Sequence, residues 1–278
     1  MSPDTPADCV LRHILAAREG VGRADPFVAG LCGAQGIGKS TLARTVAERL
    51  EALGLSVLLL GLDDLYLPRA KRLALAAQAH PLLATRGVPG THDVALGCAI
   101  LAAVGQQGTL ALPRFDKAQD DCAPPETWPR ITTPVDIVLF EGWCVGALPE
   151  AADALAEPVN ELERREDESG NWRRHVNAQL AGPYRQLFGR IDTLILLAAP
   201  GFEVVAAWRQ EQEDELRREL AAIGKDSTGT MDAVGIARFV AHYERLTRHI
   251  LAEMPGRADL VLRLDQQRRL DCDPVTFK

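Results

Sequence analysis

The chain has 278 residues, enough for one large α/β unit or two modest ones, and its 47% hydrophobic and 25% charged residues allow a sizeable core. A formal net charge of −7 argues against a nucleic-acid binder, which needs a basic surface to neutralise phosphates. No apolar stretch is long enough to span a bilayer, and the opening residues Ser2, Pro3 and Asp4 do not read as a secretory signal, so no membrane role and a cytoplasmic compartment are expected.

The six cysteines (Cys9, Cys32, Cys98, Cys122, Cys144 and Cys272) form no C-x-x-C pair and read as reduced thiols. The histidines show no metal-ligand spacing, and His242 and His249 read as a solvated helix face. Apolar runs alternate with segments of helical period, which predicts an α/β fold: a doubly wound, mostly parallel sheet with helices on both faces.

In chain order, a helical extension is expected over residues 1–25, then a strand over 27–32. The strand runs into Gly33-Ala34-Gln35-Gly36-Ile37-Gly38-Lys39-Ser40, which fits G-x-x-x-x-G-K-[ST] and is followed by Thr41 and a helix over 39–53. Glycines let backbone N–H groups converge on phosphate oxygens, and the helix dipole adds attraction for the anion. Lys39 would reach the β/γ-phosphates, and the Ser40 hydroxyl would ligate Mg²⁺.

A buried strand over 55–62 leads to Leu62-Asp63-Asp64-Leu65-Tyr66. A carboxylate at that strand end can take the proton of an attacking hydroxyl or hold Mg²⁺ through water; a plain helix cap is the alternative for Asp63. An acceptor-side insertion is expected over 63–130, with a helix over 92–104 and a strand over 109–112. Its candidate acceptor-binding residues are Asp64, Tyr66, Arg86, His92, Asp93, Arg114, Asp116 and Lys117. Arg86, Arg114 and Lys117 would together suit a carboxylate, or else pair with neighbouring acids.

The strand over 135–140 ends at Glu141-Gly142-Trp143, where Glu141 is placed to order the metal or its water. The charge-dense stretch 161–168 reads as solvated, and a helix over 172–188 is broken near Gly182-Pro183. After a strand over 191–198, a helix over 203–222 carries Arg209, the candidate that closes onto the transferring phosphate from a lid over 202–230. A helix over 232–254 and a strand over 259–264 complete one expected domain. Asn-Lys-x-Asp and Leu-Ser-Gly-Gly-Gln are both absent, which disfavours a switch GTPase and a transporter ATPase.

The 33–40 loop, Leu62-Asp63-Asp64-Leu65-Tyr66, the 86–93 loop, Phe115-Asp116-Lys117, Glu141-Gly142-Trp143, Trp208-Arg209-Gln210-Glu211-Gln212-Glu213 and Gly229-Thr230-Met231 together resemble the D-glycerate 3-kinase family, within the phosphoribulokinase/uridine kinase-like P-loop kinases. The resemblance implies ATP and Mg²⁺ as cofactors and transfer to a hydroxyl of D-glycerate. It favours Asp63 as the base, because related kinases carry Asp-x-Phe-Tyr where Asp63-Asp64-Leu65-Tyr66 stands. Family members commonly show Ser after Phe-Asp-Lys and an Asp-Arg pair beyond it; here stand Ala118 and Asp121-Cys122. Pantothenate, a nucleoside or another hydroxy acid are alternative acceptors, and an ATP-binding switch without a metabolite acceptor is the reading from another class.

Overall fold

The computed structural model describes residues 4–20, 26–222, 232–271 and 275–276. The elements are α1 (Pro6–Glu19), β1 (Phe27–Gly33), α2 (Lys39–Ala52), β2 (Val57–Gly61), α3 (Arg69–Gln78), α4 (Val94–Ala103), β3 (Gly108–Ala111), β4 (Phe115–Asp116), β5 (Asp121–Cys122) and β6 (Arg130–Thr133). Beyond them follow β7 (Ile137–Gly142), α5 (Glu161–Glu166), α6 (Asn171–Ala181), α7 (Pro183–Phe188), β8 (Thr193–Ala198), α8 (Glu203–Ala222), α9 (Ala233–Ala241), α10 (Glu244–Glu253), β9 (Leu260–Arg263) and β10 (Val275–Thr276).

The central sheet runs β10-β9-β8-β1-β7-β2, with β10 antiparallel and the other neighbours parallel. Its strands read as unbroken apolar runs because helices cover both faces. Val28 and Cys32 of β1 and Val138 and Phe140 of β7 pack on one side with Leu180, Leu187 and Ile250. Phe27, Ala29, Leu31, Ile137 and Leu139 pack on the other with Ile14, Val46, Leu50 and Val205. From β1 the chain goes out to the edge at β2, returns through β7, and then crosses to β8 on the far side of β1. The order therefore reverses at β1, and a ligand crevice opens beyond its carboxyl end.

Three expectations are corrected here. The 109–112 strand exists as β3, but it pairs antiparallel with β6 outside the central sheet. It is only half-buried to exposed, so it lacks the two covered faces of a central strand. The 232–254 helix is two helices, interrupted at His242 and Tyr243, and His242 is 4% exposed rather than solvated. Its Nδ1 meets the Arg238 carbonyl at 2.9 Å, and its ring abuts Trp172. The stretch 161–168 is likewise not a solvated run throughout: Glu163 and Asp167 are buried. Arg245 grips both carboxylate oxygens of Glu163 at 2.8 Å, and Arg173 pairs with Asp167 at 3.0 Å. Such a buried charge needs this full pairing, and the pairing ties the start of α10 to α5.

The break before Pro183 occurs as expected, since proline lacks the donor that a helix interior requires. Cys9, Cys32, Cys98, Cys122 and Cys144 are free thiols. Among the described residues no helix is long and apolar enough to cross a membrane. Gly229-Thr230-Met231, the end of the lid expected over 202–230, and Cys272 lie outside the described residues.

Candidate active site

The loop between β1 and α2 is shaped by backbone freedom. Gly36 and Gly38 have φ values of 76° and 96°, a region that L side chains avoid. At Gly36 a Cβ would also lie 2.6 Å from the Cβ of Trp208, whereas at Gly38 it would meet open space. Buried Ala34 and Ile37 anchor the loop, and Lys39 Nζ donates to the Ala34 carbonyl at 3.1 Å. The first turn of α2 begins behind Gly38, which offers no side-chain cap, so the amides at Lys39, Ser40 and Thr41 form an uncapped positive helix end suited to an anion. Gly33, Gln35 and the other loop residues expected to bind nucleotide form one continuous cradle from strand to helix.

Strand register brings the metal candidates together. Glu141 of β7 pairs with Leu31 of β1 and Gly61 of β2, so its side chain emerges beside the loop. Ser40 Oγ donates to Glu141 Oε1 at 2.7 Å. These are two hard oxygen donors, the chemistry Mg²⁺ prefers. Among the described residues no group of three or more His, Cys, Asp or Glu could hold a metal. A Mg²⁺ at Ser40 and Glu141 would thus take its other ligands from phosphate and water, its usual habit in phosphoryl-transfer sites.

Asp63 follows β2 on a short 3₁₀ turn, Leu62–Leu65, and it does not cap that turn. Its Oδ1 accepts from the Tyr66 hydroxyl at 2.9 Å and its Oδ2 from Lys117 Nζ at 2.7 Å. Desolvation pushes the Asp63 carboxyl up, but the Lys117 cation, the Lys117 hydrogen bond, the Lys39 charge and the Tyr66 hydroxyl together bring it down to about 2. The neighbouring Asp64 faces elsewhere, accepting from Phe115 N at 3.2 Å and from Arg114 at 3.3 Å. Burial raises the Asp64 carboxyl above its usual range despite that arginine.

Between these groups lies a cavity of about 90 Å³. Asp63, Arg86, Lys117 and Arg209 bring charge to it, while Gln35, Tyr66, Phe239 and Tyr243 complete its wall. Arg86 is held by an ion pair with Asp120, and its guanidinium lies 5.5 Å from the Phe115 ring centre. Its backbone is pinned as well: Tyr243 donates to the Arg86 carbonyl at 3.0 Å, and Trp143 donates to the Gly87 carbonyl at 2.9 Å. Gly87 has φ 136°, and a Cβ there would sit 1.9 Å from the Tyr243 hydroxyl, so only glycine permits this approach. Arg209 pairs with Glu213 at 2.6 Å and stands 5.6 Å from the Phe239 ring centre.

Of the residues expected on the acceptor side, Tyr66, Arg86 and Lys117 line the cavity, and Asp64, His92, Asp93, Arg114 and Asp116 do not. His92 stands behind Tyr66, stacked at 4.4 Å and meeting the Tyr184 hydroxyl at 2.6 Å. Burial drives its imidazole down to about 3, so it is a neutral support for the Tyr66 ring. Asp93 caps α4 by accepting from Leu96 N at 3.0 Å, and Asp116 caps a turn by accepting from Ala118 N and Gln119 N at 2.9 and 3.1 Å. The odd-looking Cys122 donates its thiol to the Tyr66 carbonyl at 3.3 Å.

Sequence reasoning missed Phe239 and Tyr243, which lie on a segment it read only as a surface helix. It also missed Arg72, a fully buried arginine that donates to the carbonyls of Leu67, Ala84 and Asp120 at 3.1, 2.7 and 2.6 Å. An arginine beside Arg69 and Lys71 at the start of an alanine-rich helix carries no local sign of such a role.

The chain is similar to the uncharacterized kinase mug58 of Schizosaccharomyces pombe, 34% identical over 231 residues that cover 78% of each protein. It is also similar to the chloroplastic D-glycerate 3-kinase of Arabidopsis thaliana, 27% identical over 257 residues, 87% of this chain and 53% of that protein. The chain belongs to the D-glycerate 3-kinase family of P-loop kinases. No family model matches it. The solved structure of D-glycerate 3-kinase from Cryptococcus neoformans shares the fold, with a TM-score of 0.78 at 22% identity over 99% of this chain and 100% of that one. Named relatives are kinases, and this chain is an ATP-dependent small-molecule kinase; P-loop kinases as a class use ATP with Mg²⁺.

The kinase should show a pH response set by Lys117. Because the folded Asp63 carboxyl titrates near 2 instead of 3.8, its contribution to stability is complete above pH 3.8 and is lost as pH falls through 2. In Lys117→Met the desolvation of Asp63 is opposed by less charge. An acid limb in kcat/KM is then expected about 1–3 pH units higher than in the parent enzyme. Coincident pH profiles for the two proteins would show that Lys117 does not set the ionisation of Asp63.

Proposed function

We propose that this kinase transfers the γ-phosphoryl group of ATP to a hydroxyl of a small hydroxy acid, D-glycerate. The observation that carries the reading is the cavity beside the phosphate loop, which joins one ionised carboxylate, Asp63, to three cations, Arg86, Lys117 and Arg209. A hydroxy acid has the matching groups: an anionic end for the arginines and an alcohol for Asp63. The cavity of about 90 Å³ is well below the ~300–1,000 Å³ of pockets for drug-sized ligands, which favours a few-carbon acceptor over a nucleoside or pantothenate. The Arabidopsis relative named D-glycerate 3-kinase adds support from its name.

Amides of the 33–40 loop and Lys39 hold the triphosphate, and Thr41 stands in the first turn of α2. Ser40 and Glu141 would hold Mg²⁺, whose charge would offset that of the phosphates. Arg86 and Arg209 take the acceptor carboxylate, and Arg209, on the helix that enters the lid expected over 202–230, also faces the transferring group. Asp63, ionised across the neutral range, orients the acceptor hydroxyl and takes its proton as the new O–P bond forms and the bond from the γ-phosphorus to the departing ADP oxygen breaks. The low basicity of such a carboxylate suits a loose transition state, in which the nucleophile loses its proton late. Tyr66 and Lys117 fix the carboxylate in place.

A panel of D-glycerate, pantothenate, nucleosides and other hydroxy acids, assayed by ADP release against a Lys39→Ala blank, tests this. D-Glycerate is expected to give the highest acceptor-stimulated turnover. Turnover on a nucleoside or pantothenate with none on D-glycerate would overturn the substrate assignment. Nucleotide-dependent partner binding without any acceptor turnover would favour an ATP-binding switch.

A further inference from the structure

The cavity holds an acceptor atom that the phosphoryl-transfer scheme leaves unused. Gln35 belongs to the nucleotide loop by sequence, yet its side chain lines the acceptor cavity, together with Asp63, Arg86 and Tyr243. Its Oε1 is buried and has no hydrogen-bond partner. The other oxygens around it are engaged: the Asp63 carboxylate by Tyr66 and Lys117, and the Tyr243 hydroxyl by the Arg86 carbonyl. A carbonyl oxygen left buried without a donor is costly, so a ligand that brings an O–H group to it is favoured by about 10-fold or more over one that does not. Arg86, Lys117 and Arg209 are donors only, so they can meet a hydroxyl at its oxygen but leave its O–H proton without an acceptor. Gln35 brings an unengaged neutral acceptor to the wall, beside the Tyr66 and Tyr243 hydroxyls that already donate to Asp63 and to the Arg86 carbonyl.

We infer that Gln35 accepts a hydrogen bond from a second, non-reacting hydroxyl of the acceptor and thereby selects dihydroxy acids over monohydroxy acids. This rests on the hydroxy-acid reading of the cavity. Three groups of the acceptor are then read by three kinds of side chain: the carboxylate by the arginines, the reacting alcohol by Asp63, and the remaining alcohol by Gln35. A site built to hydrogen-bond a hydroxyl rejects the analogue that lacks it more strongly than an apolar pocket rejects a missing methylene.

The test is the ratio of kcat/KM for D-glycerate to that for 3-hydroxypropanoate, which lacks the second hydroxyl. The ratio should be at least ~10² in the parent enzyme and fall by ~10-fold or more in Gln35→Met. Both acceptors are assayed with the same preparation, so a partly unfolded variant lowers both rates and leaves the ratio intact. A parent enzyme that treats the two acids alike, or a Gln35→Met ratio equal to the parent ratio, overturns the assignment of Gln35 alone. If the parent enzyme phosphorylates neither acid, the hydroxy-acid reading fails and the role of Gln35 falls with it.

Discussion

Asp63→Asn is expected to lower kcat by about 10²–10⁴, with little change in the KM for ATP. Asparagine keeps the shape of aspartate and can still accept from the Tyr66 hydroxyl, which now donates to Asp63 at 2.9 Å. It cannot take the proton of the incoming alcohol. The loss of the Lys117 ion pair costs little stability, because the two side chains are 62% and 40% exposed and such pairs contribute roughly 0.2–1 kcal/mol. The variant should therefore unfold at nearly the parent temperature while turning over far more slowly. Steady-state kinetics beside a thermal melt separates these effects, and an unchanged kcat would remove Asp63 from the mechanism.

A comparable loss is expected for Lys39→Ala, seen this time in kcat/KM for ATP. Its ammonium group rests on the Ala34 carbonyl at 3.1 Å, a contact within the loop that a phosphate oxygen would replace. Removing one preorganised donor from a developing charge costs about 10²–10³ in rate, or ~2.7–4 kcal/mol of transition-state stabilisation. The glycine geometry of the loop does not depend on this side chain, so the cradle should persist. Isothermal titration with Mg²⁺ and ATP alongside turnover checks the prediction. A variant within ~3-fold of the parent kcat/KM would show that the backbone amides suffice without the cation.

The parts of the site legible in the sequence are those built from neighbouring residues. The phosphate loop is a run of consecutive positions whose glycines adopt left-handed backbone, and β1 and α2 flank it as expected. Asp63 and Glu141 were legible for a related reason: each stands where an apolar strand of the parallel sheet emerges, and parallel strands all emerge on one side. Arg114 and His92 show where this reasoning stops. Both lie in turn-rich segments dense in functional residue types, as Arg86 and Lys117 do. Yet Arg114 turns to Asp64, and His92 is a neutral ring behind Tyr66.

Local order could name the phosphate-binding loop, the sheet class and the two strand-end carboxylates, because backbone conformation and strand direction are encoded over a few adjacent residues. The choice of cations for the cavity beside the phosphate loop, and the aromatic rings that wall it, came from packing between distant segments. Tyr243 reaches the Arg86 carbonyl across 157 positions, and Lys117 reaches Asp63 across 54. The burial of Glu163 depends in the same way on Arg245, 82 positions away. A side chain's partner, and with it its charge state, is set by whichever groups the folded chain places within about 3 Å, and no period or motif carries that distance.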